Sequence, residues 1–315
     1  MTTLAAPPPL ARTRPQPRTD TRATLGRTGL EACRIGLGGG SGLPADDIEY
    51  AIARGVNYLF VSSDFHALMY HPMWRVLQRY GRGSRREELI VVGCSYINDP
   101  EKLAGILADQ LMSWGLDYVD VFQWGWVTPR NDADLLMRAA DAGLRDGAVA
   151  GAVAEQLGVA AEVARELRRR GYARHLAIST HDRAIARAMI DHPHADILML
   201  RYNLAHRGAE DEVFAHVPQG AQRPGIVAFN AAHDARGLLS IPPAGLPPGR
   251  YVPDVGDLYR YCLDRPEVDV VLTGPENRAQ LDIALDALAR PALDEHKRIY
   301  LEKYGDLHAG RSRVR

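Results

Sequence analysis

Eight apolar, strand-like segments alternate with helix-like ones along a single chain of 315 residues, and this alternation predicts an α/β protein closed as a (β/α)8 TIM barrel. Two further observations favour the barrel over a doubly wound open sheet. Segments such as LIVVGCS (89–95) are continuous β-branched runs, as expected of strands buried on both faces. The glycine-rich stretch GLGGGSG (36–42) runs into Leu43 and Pro44 before the next helix. It therefore lacks the G-x-G-x-x-G register of a dinucleotide fingerprint and reads as a barrel-bottom turn or the first βα loop.

The elements follow in order. ATLGRTGLEA (23–32) reads as a hairpin and CRIGLGG (33–39) as the first strand. A helix is expected over DDIEYAIARG (46–55), opened by Asp46 as its N-cap. NYLFVSS (57–63) is the second strand, and HPMWRVLQRYG (71–81) is helical. LIVVGCS is the third strand, and PEKLAGILADQLMSWG (100–115) is an amphipathic helix. DYVDVFQWGW (117–126) is the fourth strand. An Ala-rich region from about Ala133 to Gly171 is expected to hold one long or two short helices, broken at Gly143, Gly147 and Gly151. HLAIST (175–180), DILMLRYN (196–203), GIVAFN (225–230) and VDVVLTG (268–274) complete the strands. The remaining helices are RAIARAMID (183–191), DEVFAHV (211–217), VGDLYRYCLD (255–264), RAQLDIALDAL (278–288) and DEHKRIYLEKYG (294–305).

Composition narrows the function. With 38 Lys+Arg against 39 Asp+Glu, the formal net charge is −1, which argues against nucleic acid or an anionic membrane as partner. A hydrophobic content of 46% excludes global disorder. Cys33, Cys94 and Cys262 make no disulfide framework and no C-x-x-C, which fits a reducing cytoplasm. No apolar run approaches the ~18 residues of a membrane helix. Residues 1–23, with Pro7, Pro8, Pro9, Arg12, Arg14 and Arg18, read as a disordered arm without the apolar core of a signal peptide, and 24–315 as one barrel domain.

A barrel carries its site at the C-terminal strand ends, here residues 60–66, 93–96, 123–127, 179–182, 201–206, 229–233 and 274–280. Motifs at these ends resemble the aldo-keto reductases. LGRTGLEACRIGLGGG is similar to their opening LGxTGLxVSxLGLG, GVNYLFVSSDFH to GxNxxDTAxxYG, and YVDVFQWGW to YIDLYQxHxxD. AISTHD resembles GVSNxx, LRYNLAHR resembles PYNLLxR, AFNAAHDARGLLS resembles YSPLxxGLLS, and VLTGPENRAQL resembles IPGxxxxxQL. The matches run in order over nearly the whole chain after the arm.

The resemblance implies hydride transfer from NADPH to a carbonyl, with the proton given by a Tyr that a Lys, an Asp and a His assist. The four positions fall on Phe60 for Asp, Phe65 for Tyr, Cys94 for Lys and Gly125 for His. All four residues are substituted. The phenylalanines have no ionisable proton, and glycine at 125 is expected to leave space and no donor. The implied cofactor positions are eroded too: Thr180, Met199, Glu276 and Ala284 stand where Asn, Gln, a basic residue and Asn are expected. Ser179, Phe229, the Arg236–Gly237–Leu238 stretch, Asn277 and Gln280 still match. Binding of NADP or NAD stays open on this evidence.

The loop SSDFHALMYH (62–71) offers a replacement, because Asp64, His66 and Tyr70 are residue types used in general acid–base catalysis. If His66 opens the helix, Tyr70 lies four residues on and shares its face, while Asp64 could orient His66. An ordinary polar loop is the plainer alternative. Cys94 is either a nucleophile, which needs a lowered pKa, or a small apolar filler. A metal site gathered from Cys94, His66, His71 or His181 is supported by no H-x-H or H-E-x-x-H spacing among them. Trp124 and Trp126, two residues apart, share a face that is either an aromatic pocket wall or packing. With Phe60, Phe65, His181, Tyr202 and His233 they make up the candidate substrate pocket. The reading favoured here is a barrel repurposed for non-standard acid–base chemistry on a small organic substrate in specialised metabolism. Beside it stand an NAD(P)-dependent oxidoreductase whose proton donor is replaced by Tyr70 or His66, and a non-catalytic pseudoenzyme.

Overall fold

The computed structural model describes residues 20–64, 67–97, 102–125, 162, 164–234 and 237–310. Eight parallel strands close on themselves in chain order: β1 (Ile35–Gly38), β2 (Tyr58–Ser62), β3 (Ile90–Ser95), β4 (Val119–Trp124), β5 (Ala173–Thr180), β6 (Ile197–Arg201), β7 (Gly225–Phe229) and β8 (Val270–Thr273). β8 pairs with both β7 and β1, which completes the barrel. Around it lie α1 (Ala45–Ala53), α2 (Ala67–Tyr80), α3 (Leu103–Trp114), α4 (Arg183–Ile190), α5 (Val255–Leu263), α6 (Arg278–Ala289) and α7 (Glu295–His308). All eight expected strands are present, because runs buried on both faces are legible from composition alone.

One device recurs at the N-terminal end of the barrel. A residue at the start of each even-numbered strand accepts a hydrogen bond from a backbone N–H at the start of the odd-numbered strand before it. Asn57 Oδ1 accepts from Cys33 at 2.7 Å, and Asp120 from Val91, Asp196 from Leu176 and Asp269 from Ile226, each at 2.9 Å. Arginines neutralise the three carboxylates: Arg86 at 2.8 Å and Arg174 at 3.2 Å on Asp120, Arg168 on Asp196, and Arg223 on Asp269. Arg34, fully buried, donates to the Leu263 and Val268 carbonyls at 2.6 and 3.1 Å.

The hairpin Arg22–Thr24 with Glu31–Cys33 closes this end. Leu25 is fully buried there, and the Arg27 N–H donates to the Arg223 carbonyl at 2.8 Å. The hairpin strand begins at Arg22, inside the segment read as an arm, and the Arg34 N–H donates to the Thr21 carbonyl at 2.9 Å.

Two local expectations are corrected. Asp46 does not cap α1: the helix begins at Ala45, Pro44 takes the cap position, and no side chain caps it. Asp46 and Asp47 lie within the first turn, where the positive end of the helix favours acidic side chains. DEVFAHV is not one helix but a helical turn, Ala209–Glu212, and a tighter one, Phe214–His216. Val213 and Phe214 are buried, with the Phe214 ring 5.1 Å from that of Tyr202, and this packing breaks the helical run. Of the Ala-rich region, the segment before residue 162 lies outside the described residues.

Replacing Asp269 by alanine removes the Ile226 acceptor and strands Arg223. Chemical denaturation is expected to show a loss of about 3–5 kcal/mol. The control Asp286→Ala, whose side chain is 71% exposed, should change stability by less than about 0.5 kcal/mol.

Candidate active site

A cavity of about 570 Å³ opens at the C-terminal ends of the strands, the size of a small-molecule site. Phe60, Tyr70, Tyr96 and Gln123 form one wall, and Ser179, His181, Met199, Phe229 and Asn230 the other. Gly38, Gly40, Ser41 and the stretch Leu272–Gly274 form the lip. Asn230 has a left-handed backbone, φ 57°, which asparagine tolerates better than most residues. Its carbonyl accepts from Asn203 Nδ2 at 2.8 Å, and this fixes the turn at the mouth.

The structure shows the surroundings of Phe60, Cys94 and Gly125. Phe60, in the middle of β2, lines the cavity. Cys94 is fully buried, and burial first, then the Asp64 charge, holds its thiol well above the ordinary range. The thiol is therefore protonated at neutral pH, the state of a filler and not of a nucleophile. Position 125 does not leave space. A Cβ there would stand 2.7 Å from Cys94 Sγ, 3.0 Å from the Ser95 carbonyl and 3.2 Å from the Tyr96 ring. The volume of the absent side chain is filled from β3 and the residue beyond it.

Tyr70, on α2, reaches the cavity. Its ring lies 6.3 Å from that of Phe60 and packs against the Gly39–Ser41 turn. A Cβ at position 40 would be 2.8 Å from the Tyr70 hydroxyl, so the glycine-rich stretch is the socket for this ring. Burial above all pushes the Tyr70 and Tyr96 phenols up, and both hold their protons at neutral pH. The Tyr96 hydroxyl is a hydrogen-bond partner of Tyr70 and of the Cys94 thiol.

Asp64 does not line the cavity. Its carboxylate accepts from Ser62 Oγ at 2.6 Å, Ser95 Oγ at 2.7 Å and the Tyr96 N–H at 3.0 Å. It thus pins the chain leaving β3, which carries Tyr96. Phe65, His66, Trp126 and Arg236 lie outside the described residues.

Other candidates sit elsewhere. Trp124 is buried on the opposite face of β4 from Gln123, and its indole donates to the Ile97 carbonyl at 3.0 Å. It packs towards the helices and lines no part of the cavity. Tyr202, fully buried, donates to Glu210 at 2.8 Å and stacks on Tyr261. His233 is exposed in the short hairpin His233–Asp234 with Gly237–Leu238. His181 does line the cavity, its ring edge-on to Phe229 at 4.9 Å. Burial, then Arg201 and His206, lowers its pKa to about 4.

Of the positions that match a cofactor site, Ser179 and Phe229 are in the cavity wall. Asn277 caps α6, accepting from Gln280 N at 3.1 Å, while Gln280 Oε1 accepts from Glu276 N at 2.9 Å. Arg278 is committed to Asp47 at 2.7 Å and to the face of Tyr50. Sequence reasoning included 96 and 123 in the rim but did not single out Tyr96 or Gln123. The alternation Cys94–Tyr96 beside Gln123 on the neighbouring strand was the available signal.

A parallel eight-stranded barrel with its cavity at the C-terminal strand ends defines the class of protein. No family model matches the sequence, and no curated protein does. Solved structures do. The holo form of the aldo-keto reductase AKR11C1 from Bacillus halodurans aligns over 90% of this chain and 96% of its own, at 19% identity and a TM-score of 0.66. An aldo-keto reductase from Klebsiella pneumoniae in complex with NADPH aligns over 90% and 95%, at 15% identity and 0.65. The thermostable aldo-keto reductase Tm1743 in complex with the inhibitor epalrestat aligns over 90% and 99%, at 18% identity and 0.64. The chain has the aldo-keto reductase fold. Among the described residues no helix is long and apolar enough to cross a membrane.

The lowered His181 pKa sets a pH dependence. The fold favours the neutral ring, so this contribution is complete above the ordinary imidazole value of 6.5 and drains as pH falls towards 4. Thermal melts across this window should show His181→Gln losing less stability on acidification than the unmodified protein. Parallel curves would refute the assignment.

Proposed function

We propose that the chain is an oxidoreductase-type enzyme that acts on a small carbonyl compound or its alcohol, with Tyr70 as the proton donor. The observation that carries this is the protonated Tyr70 hydroxyl, held in the cavity between Phe60 and the Gly39–Ser41 turn. A repurposed acid–base reaction needs a base at the substrate. Asp64, a carboxylate beside the cavity residue Tyr96, already accepts three hydrogen bonds, and His181 has little affinity for a proton. The described polar groups of the floor hold protons and do not take them. That suits polarising and protonating an oxygen, the half of carbonyl reduction that the protein must supply.

The inner mouth fits a flat amide-bearing ring. Ser179 and Asn230 offer a hydroxyl and a carboxamide beside Phe229. A side chain at Gly38 would crowd the Thr273 carbonyl at 3.2 Å, so the bare backbone here keeps β1 and β8 close at the lip. A nicotinamide dinucleotide held there supplies hydride to the carbonyl carbon when bound. Tyr70 donates to the substrate oxygen and gives up its proton as negative charge develops there, leaving an alcohol and a phenolate that water reprotonates. In the outer loop Arg278 is tied to Asp47 and Glu276 is exposed, an arrangement that supports NAD over a 2′-phosphorylated cofactor.

Calorimetry with NADH and NADPH, followed by turnover on a panel of aldehydes and ketones, tests the reading. Tyr70→Phe is expected to lower kcat about 100-fold or more while cofactor affinity is kept. Gly40→Ala, which pushes on the same hydroxyl, is expected to lower kcat in the same direction but less. Absence of binding by either cofactor overturns the proposal.

A further inference from the structure

Tyr96 occupies the place where position 125 has no side chain. Its ring edge lies 3.2 Å from the point a Cβ would take at Gly125, and Cys94 Sγ lies 2.7 Å from that point. Glycine at 125 and tyrosine at 96 therefore belong to one arrangement, since a larger residue at 125 would collide with Cys94 Sγ and the Ser95 carbonyl and crowd the Tyr96 ring. The ring also lines the cavity together with Tyr70.

The chain around Tyr96 is built to hold it there. Asp64 accepts its N–H at 3.0 Å and the Ser95 hydroxyl at 2.7 Å. Ser95 Oγ accepts from Ile97 N at 3.2 Å, and the Ile97 carbonyl accepts from the Trp124 indole at 3.0 Å. Hydrogen bonds thus hold Ser95, Tyr96 and Ile97 in turn where β3 passes into a loop, a place where chains are ordinarily mobile. Preorganised donors are worth most where charge develops on a ligand atom in a water-poor site. Beside the floor, Gln123 Oε1 is buried with no partner, so a further polar ligand atom finds an acceptor there.

We propose that Tyr96 is a second donor for the reaction of this cavity: a ligand oxygen that takes the place of the contact between its hydroxyl and that of Tyr70 accepts from both, a clamp that stabilises it as it becomes negative. The proposal rests on the reading of Tyr70 as the donor, and deepens it by adding a residue and a ligand chemistry. A carbonyl oxygen has two lone pairs and accepts two such bonds. The ligand class is a compound whose oxygen carries or gains negative charge: a carbonyl on the way to an alkoxide, or a phenolate or enolate bound as its mimic.

The probe is 4-nitrophenol, which needs no cofactor and whose absorbance reports its ionisation when bound. The full-length protein is expected to bind the phenolate form. Tyr96→Phe and Tyr70→Phe should each weaken binding about tenfold or more and shift the bound absorbance maximum, and the double variant should lose less than the product of the two. Both substitutions keep the ring, and thermal melts confirm that the fold is retained. If Tyr96→Phe binds as the unmodified protein does while Tyr70→Phe is impaired, Tyr96 is only a wall and the clamp is overturned, with the Tyr70 reading intact. If both variants bind like the unmodified protein, or if that protein binds no nitrophenolate, the clamp is overturned together with the placement of Tyr70 at a ligand oxygen.

Discussion

The girdle of Asn57, Asp120, Asp196 and Asp269 is the constraint on which the rest of the barrel depends. A parallel strand presents its first N–H to whatever lies beside its start, and at the closed end of a barrel little water is available. Here a side chain from the next strand supplies the acceptor, at every second strand, with distances of 2.7–2.9 Å. Each bond also sets the stagger of one pair, so the four bonds fix the register of every second strand pair around the barrel. The three carboxylates are held in place by arginines, without which their burial would be strongly unfavourable.

A rigid lower end leaves the upper end free to vary, and there the chain has been rebuilt with uncharged groups. Phe60, Cys94 and Gly125 place no charge there, and packing fills the space around them: the Tyr96 ring beside Gly125, and the Tyr70 ring against Gly39 and Gly40. Because burial keeps both phenols protonated, the site offers hydrogen-bond donors of fixed direction and no permanent charge. Asp64 serves this arrangement from behind, by holding the backbone that carries one of the phenols.

Legibility followed the range of the forces involved. The strands were plain in the sequence because burial on both faces selects a continuous apolar run, a property of five or six neighbouring residues. The girdle was visible too in hindsight, as V-N-Y-L, V-D-V-F, A-D-I-L and V-D-V-V at the starts of β2, β4, β6 and β8. DEVFAHV misled because its helical spacing is overridden by Phe214 packing on Tyr202. The pair Trp124 and Gln123 shows the limit of strand patterns. Alternation says that they face opposite ways, but only the closed barrel says that Gln123 has the cavity side.

The sequence by itself determined the barrel and the order of its strands. Local composition and motif order suffice for these. The tertiary structure alone decided what fills the gaps. Whether glycine at 125 means a hole or a socket depends on a ring that starts 29 positions earlier and on a thiol one strand away, and the role of Asp64 on donors from residues 62, 95 and 96. Steric exclusion and hydrogen bonding act over about 3–4 Å between residues distant in the chain, and no reading along one dimension contains those distances.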